Sequence, residues 1–204
     1  NNKSFKLRDL INYSCMLYKE QGFEFDSKLL QKELNEFILE RLKNYLKEKQ
    51  IRNDIIDSST NISNIDEILK VFKKSVALNK NIKKVLGQDV VSIYKRSSNI
   101  LSSEKENSLE IIGSADPGLF KNDFEKNLYK RIHDIRKYFS SIGKSENYEE
   151  SLKILSLAKN EINAFFDNVV VNDHDPIIKK NRLELLKMLC KSFENYFNFS
   201  KIES

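Results

Sequence analysis

The stretch DPIIKKNRLELLKMLCKSFE, residues 175–194, decides the fold class. Ile178, Leu185, Leu186, Leu189, Phe193 and, just beyond, Phe197 recur at helical spacing, so they gather on one side of a single long helix. The helix has a legible start: Asp175-Pro176 places a capping carboxylate before a proline, whose fixed φ and missing N–H suit the first helical position. Working outward, Phe124, Leu128, Ile132, Ile135 and Phe139 repeat the pattern in steps of three and four. Leu30, Leu34, Phe37, Ile38 and Tyr45 do so in a segment that breaks after Gln50. Helices with one apolar face must bury it against neighbours, and a bundle is the arrangement that does so. The reading is all-α, a helical bundle.

The breaks agree with it. Asp116-Pro117 repeats the capping pair, and Gly22, Gly87, Gly113 and Gly143 punctuate the remaining segments. Ser102 to Asp116 reads as the longest loop. Only Val169-Val170-Val171 hints at a strand, and three residues do not make a sheet. With 5 Gly and 2 Pro in 204 residues, chain-breakers are scarce. A hydrophobic fraction of 40%, including 13 Phe and 8 Tyr, supplies a core and excludes a disordered chain.

Function classes narrow by elimination. Cys15 and Cys190 lie far apart in helical patterns, as buried thiols of a reducing compartment do. No apolar run approaches the ~18 residues of a membrane span, and no signal-peptide pattern opens the chain. The expected location is cytoplasmic, and the abrupt start at Asn1 reads as a segment of a longer protein. His133 and His174 have no metal-ligand partners at helical spacing. Phosphate-binding glycine loops, nucleophile elbows and zinc spacings are absent from the sequence. Asp167, Asp173 and Asp175 do not fit a calcium loop and read as caps or solvated groups. No catalytic residue and no metal ligand is assigned; the segment reads as a binding module.

Charge suggests what is bound. The net charge is +5. Between Leu69 and Lys105 stand Lys70, Lys73, Lys74, Lys80, Lys83, Lys84, Lys95, Arg96 and Lys105 against only Asp89 and Glu104, so the positive field belongs to this region. Such a region attracts a phosphate backbone, although a lysine-rich helix face that is merely solvated is the plainer reading of charge alone. Within it, Val90, Ile93, Tyr94, Ser97, Ile100 and Leu101 trace a core-facing stripe. Ser92, Lys95, Asn99 and Ser102 trace the opposite one, with Arg96 beside it. Ammonium, guanidinium, hydroxyl and amide groups on one face serve phosphates and base edges alike.

Seven segments in order then resemble one family. They are Phe37–Leu42 with Tyr45-Leu46, Asp54–Asp57, Tyr94–Ile100, Ala115–Phe120, Glu161–Asp173, Asn181–Leu186 and the closing Phe199–Ile202. Together they are similar to the β subunit of bacterial glycyl-tRNA synthetase, in its C-terminal region with a DALR-type anticodon-binding domain. The sequence departs from that pattern at Asn163, Ala158-Lys159, Asn172 and Phe197-Asn198. The resemblance implies that residues 1–25 end the preceding β-subunit region. Residues 26–204 would then form the helical anticodon-binding domain, with a DALR-like core at about 88–200. It implies a tRNA-binding part of glycine–tRNA ligase, itself non-catalytic. Its partners would be tRNA-Gly and, through the full β subunit, the α subunit. ATP and Mg would serve the parent enzyme, with no cofactor in this segment.

Glycine anticodons end in two cytosines, whose O2 and N3 accept and whose N4 donates. Lys95 and Arg96 are assigned to anticodon-stem or loop phosphates, and Asn99 to reading a base, with a structural bond to a nearby loop as its equal alternative. Lys80, Lys83 and Lys84 add to the tRNA-binding set. Asn181 and Arg182, early in the last helix, are further readers if their side chains face the same cleft; for Arg182 an ion pair with Asp167 or another bundle acid is the alternative. Phe165 and Phe166 read as core, with a stacking platform for a splayed base as the alternative. Two rival functions stand beside this one: the anticodon-binding domain of an arginyl-type synthetase, and a helical protein-interaction module with an incidental basic face. A small free-standing enzyme ranks last, for want of an acid–base pair.

Overall fold

The computed structural model describes residues 6–60, 68–104, 110–141, 147–194 and 196–203. These form nine α-helices and no strand: α1 (Leu7–Glu20), α2 (Ser27–Glu48), α3 (Asn53–Ser59), α4 (Ile68–Asn81), α5 (Val85–Glu104), α6 (Asp123–Ser141), α7 (Tyr148–Ser156), α8 (Lys159–Asn168) and α9 (Pro176–Glu194). Short 3-10 turns follow at Pro117–Leu119 and Phe199–Lys201. The all-α expectation is met. Val169 is extended after α8, with Val170 exposed between buried Val169 and Val171, and this is as far as the strand hint goes. The chain divides after Asn79 into two compact units, residues 1–79 with Glu203 and residues 80–202. Lys105 and Gly143 lie outside the described residues. Of the loop expected from Ser102 to Asp116, Ser102–Glu104 belong to α5 and 110–116 are irregular.

In the first unit α1 packs on α2, with Ile11 and Cys15 buried and the Gln31 amide donating to Asn12 at 2.8 Å. The boundary expected at about residue 25 falls between these two helices, inside the unit. Asp26 caps α2 by accepting from the N–H of Lys28 and Leu29. The buried line of α2 runs through Leu42 and Leu46, in step with half-buried Leu30, Leu34 and Ile38. Phe37 and Tyr45, expected in the same stripe, are 53% and 46% exposed. Both sit one position before a residue of this four-residue row, which turns them out of it by about 100°. Arg41 covers Phe37 at 5.1 Å, and Phe72 lies 6.0 Å from Tyr45.

Two helices of this unit end in the same way. The N–H of Phe23 reaches Tyr18 O and that of Gly22 reaches Lys19 O; Ile51 and Gln50 repeat these bonds to Leu46 O and Lys47 O. Both are Schellman endings, which require a left-handed residue after the cap. Gly22 takes it at φ 88°, and Gln50 takes it at φ 58°.

In the second unit α9 is the centre. Leu183 and Leu185 are both fully buried, and residues two apart point to nearly opposite sides of a helix. Between Asn181 and Leu186 α9 is therefore covered all round, by α5 and α6 among others, rather than along one stripe. α8 packs on α6 and α5, and α7 on α5. Asp175 accepts from Ile177 N and Asp116 from Gly118 N, so both Asp-Pro pairs cap as their sequence predicts. At the C-terminal end of α9, Phe193, Phe197, Phe199 and Tyr94 pack together with ring centroids 5.4–6.4 Å apart. Burying each such phenylalanine contributes about 1.5–3 kcal/mol.

Candidate nucleic-acid interface

α5 presents the face its sequence predicts. Val90, Ile93, Tyr94, Ser97 and Leu101 are buried and Ile100 is half-buried; Ser92, Arg96, Asn99 and Ser102 are exposed and Lys95 is half-buried. Its first turn contains Gly87, which sequence reading took for a break. The glycine is there because backbone passes through the space of a side chain: a Cβ would lie 2.3 Å from Asn81 O. At the inner face the Tyr94 hydroxyl donates to Glu194 at 2.9 Å, and burial raises its pKa above the ordinary tyrosine value.

α8 lies beside the exposed face. Lys159 pairs with Asp89 at 2.7 Å, and the Arg96 guanidinium lies 4.3 Å over the Phe166 ring. The second contact comes seven residues after the first on both helices, so α5 and α8 run parallel and in register for about 10 Å. Arg96 also approaches Asp167 at 3.9 Å, with 47% and 68% of the two side chains exposed. An exposed pair at that distance contributes at most a few tenths of a kcal/mol, roughly. One turn beyond Arg96, the Asn99 side chain has no hydrogen-bond partner among the described residues. Asn163 is exposed on α8, one turn before Phe166.

The structure thus brings Lys95, Arg96 and Asn99 to one face and adds Phe166 and Asp167 to them. Phe165 is wholly buried, as expected; Phe166 is only half-buried and lies under a cation. A signal for this was present, since adjacent helical residues diverge by about 100°, and on a helix with a narrow apolar stripe two neighbouring phenylalanines need not both point into the core. Lys80, Lys83 and Lys84 are exposed in the second unit, with Lys80 paired to Glu149 at 2.7 Å. Lys70, Lys73 and Lys74 fall in the first unit. The basic run that looked continuous in sequence is thus split between two units.

Asn181 and Arg182 do not face this cleft. Both are buried. Asn181 accepts from Asp116 N at 2.7 Å and donates to Asp116 O at 3.0 Å. Arg182 bonds Glu125 at 2.8 Å, Asp173 at 2.6 Å and Val170 O at 2.8 Å, and its partner is Glu125 rather than Asp167. Their neighbour Glu184 accepts the backbone N–H groups of Ile112, Gly113 and Ser114, while Lys191 donates to Ile112 O at 2.6 Å. Residues 181, 184, 188 and 191 form one face of α9, and together they hold the chain at 112–116. Asn181 and Glu184 are buried and already bonded to this backbone, which excludes them from binding a partner without releasing the loop.

With this geometry in place, comparison with known proteins is informative. Residues 90–204 match the DALR anticodon binding domain family. The chain belongs to that family. The DALR match begins on α5 and takes in Lys95, Arg96, Asn99, Phe166 and Asp167, while Lys80, Lys83 and Lys84 precede it. Over 99% of its length the chain is also similar to glycine–tRNA ligase β subunits. It is 32% identical to that of Rickettsia africae (strain ESF-5), 33% to that of Rickettsia canadensis (strain McKiel) and 31% to that of Rickettsia prowazekii (strain Madrid E). It spans 28% of the length of these relatives. The family resemblance read from the seven segments is thereby met, and it favours the glycyl type over the arginyl one. Among the described residues, no helix is long and apolar enough to cross a membrane, and no three His, Cys, Asp or Glu side chains are grouped to hold a metal ion.

Proposed function

We propose that this chain is the anticodon-recognition part of a glycine–tRNA ligase β subunit and supports ATP-dependent glycylation of tRNA-Gly in the cytoplasm. Residues 1–25 end the preceding region, and 26–204 form the anticodon-binding domain with its DALR core at about 88–200. The α subunit meets it through the full β subunit, and ATP and Mg act elsewhere in the parent enzyme.

The observation that carries this reading is the α5 face. Lys95, Arg96 and Asn99 stand together on a rigid helix, within the residues that match the anticodon-binding family. Lys95 and Arg96 neutralise loop phosphates, Asn99 offers both a donor and an acceptor to a base edge, and Lys80, Lys83 and Lys84 extend the positive field. Asn181 and Arg182 act indirectly, by holding the loop at 112–116 and the start of α6.

The test is the affinity of the chain for tRNA-Gly at two salt concentrations, beside a tRNA-Gly whose two anticodon cytosines are replaced. Weaker binding to the altered tRNA, with log K falling by ~0.7 per phosphate contacted as log salt rises, supports anticodon reading. Equal binding to both reduces the function to backbone binding, and a salt-independent affinity favours the protein-interaction module.

A further inference from the structure

We infer that Phe166 and Asp167 of α8 form a receptor for one unstacked cytosine, which Arg96 covers in the free protein. The inference rests on the anticodon-binding reading and names the specificity residues of that site.

Three features carry it. Phe166 is a half-buried ring at the surface of a polar face, backed by wholly buried Phe165 with ring centroids 5.5 Å apart. The ring is therefore held rigidly, as a stacking surface must be. Its outer face is occupied by the planar guanidinium of Arg96 at 4.3 Å. A planar cation over an aromatic ring occupies the position of a stacked base, because both are flat and both are held by the π-face. The next residue, Asp167, sets a carboxylate beside the platform with 68% of its side chain exposed, tied among the described residues only by the 3.9 Å contact to Arg96.

A carboxylate beside a stacked pyrimidine accepts from the N4 amino group of cytosine and repels the O4 of uracil. Binding thus exchanges partners. The guanidinium leaves the ring for a phosphate of the loop, the base takes its place on Phe166, and Asp167 exchanges a weak ion pair for an N–H donor. Asn99, one turn along α5, lies in reach of the remaining base edge.

Three variants of the 204-residue chain test this against the anticodon stem-loop of tRNA-Gly, each anticodon cytosine being replaced singly by uracil. Phe166→Leu is expected to weaken binding on the order of 10- to 100-fold with an unchanged salt slope, and Phe166→Tyr to stay within about threefold. Asp167→Asn, at an exposed position, is expected to fold normally and to remove most of the preference for cytosine over uracil at one loop position. Wild-type binding with that preference intact in Asp167→Asn, or equal affinity of Phe166→Leu and wild type, overturns the receptor and leaves anticodon reading by other residues. Failure of the wild-type chain to bind the stem-loop overturns both.

Discussion

The Arg182 guanidinium donates from Nε to Glu125 Oε1 at 2.8 Å, with 6% and 1% of the two side chains exposed. The pair joins α9 to the first turn of α6, and Glu125 is the better fixed of the two. Its other oxygen accepts the N–H groups of Lys121 and Asn122, and Asn122 in turn accepts Glu125 N at 3.1 Å. This is a capping box with a buried arginine attached. Removing Arg182 leaves a buried carboxylate without its cation. Arg182→Ala is expected to lower stability by about 3–5 kcal/mol in urea unfolding. Arg182→Lys, which lacks the fork, is expected to lie between the two. Because the side chain is buried, a folded Arg182→Gln, which removes the charge, should keep the wild-type salt slope of RNA binding; a lower slope would make Arg182 a phosphate contact after all.

Gly87 gives a second expectation. Any side chain there meets Asn81 O at 2.3 Å, which is backbone and not a flexible group. Gly87→Ala gains helix propensity of roughly 1 kcal/mol but must separate α5 from the end of α4, an overpacking cost of about 1–3 kcal/mol or more. The net outcome is a lower melting temperature. An unchanged or raised one would show that the two helix ends separate freely.

Gln50 points the other way. It occupies the left-handed position of a Schellman ending at φ 58°, where Gly22 sits in the equivalent ending of α1. A non-glycine residue there costs roughly 1–2 kcal/mol, part of which the greater chain entropy of glycine takes back. Gln50→Gly is expected to stabilise the first unit by about 0.5–1 kcal/mol, read from its thermal transition.

Acid sensitivity follows from two carboxylates. The Asp175 N–H, with Arg182, holds Asp173 below its ordinary 3.8, and the Lys80 ammonium holds Glu149 below its ordinary 4.5. A depressed folded pKa means stability that is present above the ordinary value and lost as pH falls through the folded one. The urea midpoint is expected to fall as the pH drops below these ordinary values, and Asp173→Asn to show a shallower fall. A midpoint that rises on acidification would contradict both assignments.

Cys190 is a buried free thiol whose pKa burial, then Glu194, pushes up to about 12. Since the thiolate is the reactive form, alkylation at about pH 8 is expected to be slow in the native chain and fast in urea. Labelling of Cys190 at equal rates in both states would place it at the surface.

Much of this chain was legible from spacing alone. The helices, the caps at Asp116 and Asp175, and the division of α5 into a buried stripe and a polar one depend on residues within a few positions of one another. A helix of fixed pitch turns such spacing directly into faces. The same rule failed where a residue stands beside a stripe, as Phe37 and Tyr45 do, and where a glycine serves close approach rather than a break, as Gly87 does.

What the sequence by itself determined, then, is local: an all-α chain, where its helices start, and which face of α5 is polar. Tertiary structure alone decided the partners. Arg182 and Glu125 are 57 residues apart, Lys159 and Asp89 70 apart, and nothing in either segment names the other. It also decided that Asn181, Arg182 and Glu184 are interior. Asn181 and Arg182 read as binding residues early in the last helix, but α9 is enclosed in its middle turns, and a buried polar group must take whatever donor or acceptor the packing brings to it. Phe166 has the opposite history. It reads as core beside Phe165, and it stays at the surface because α8 has only one side to bury and Phe165 faces it.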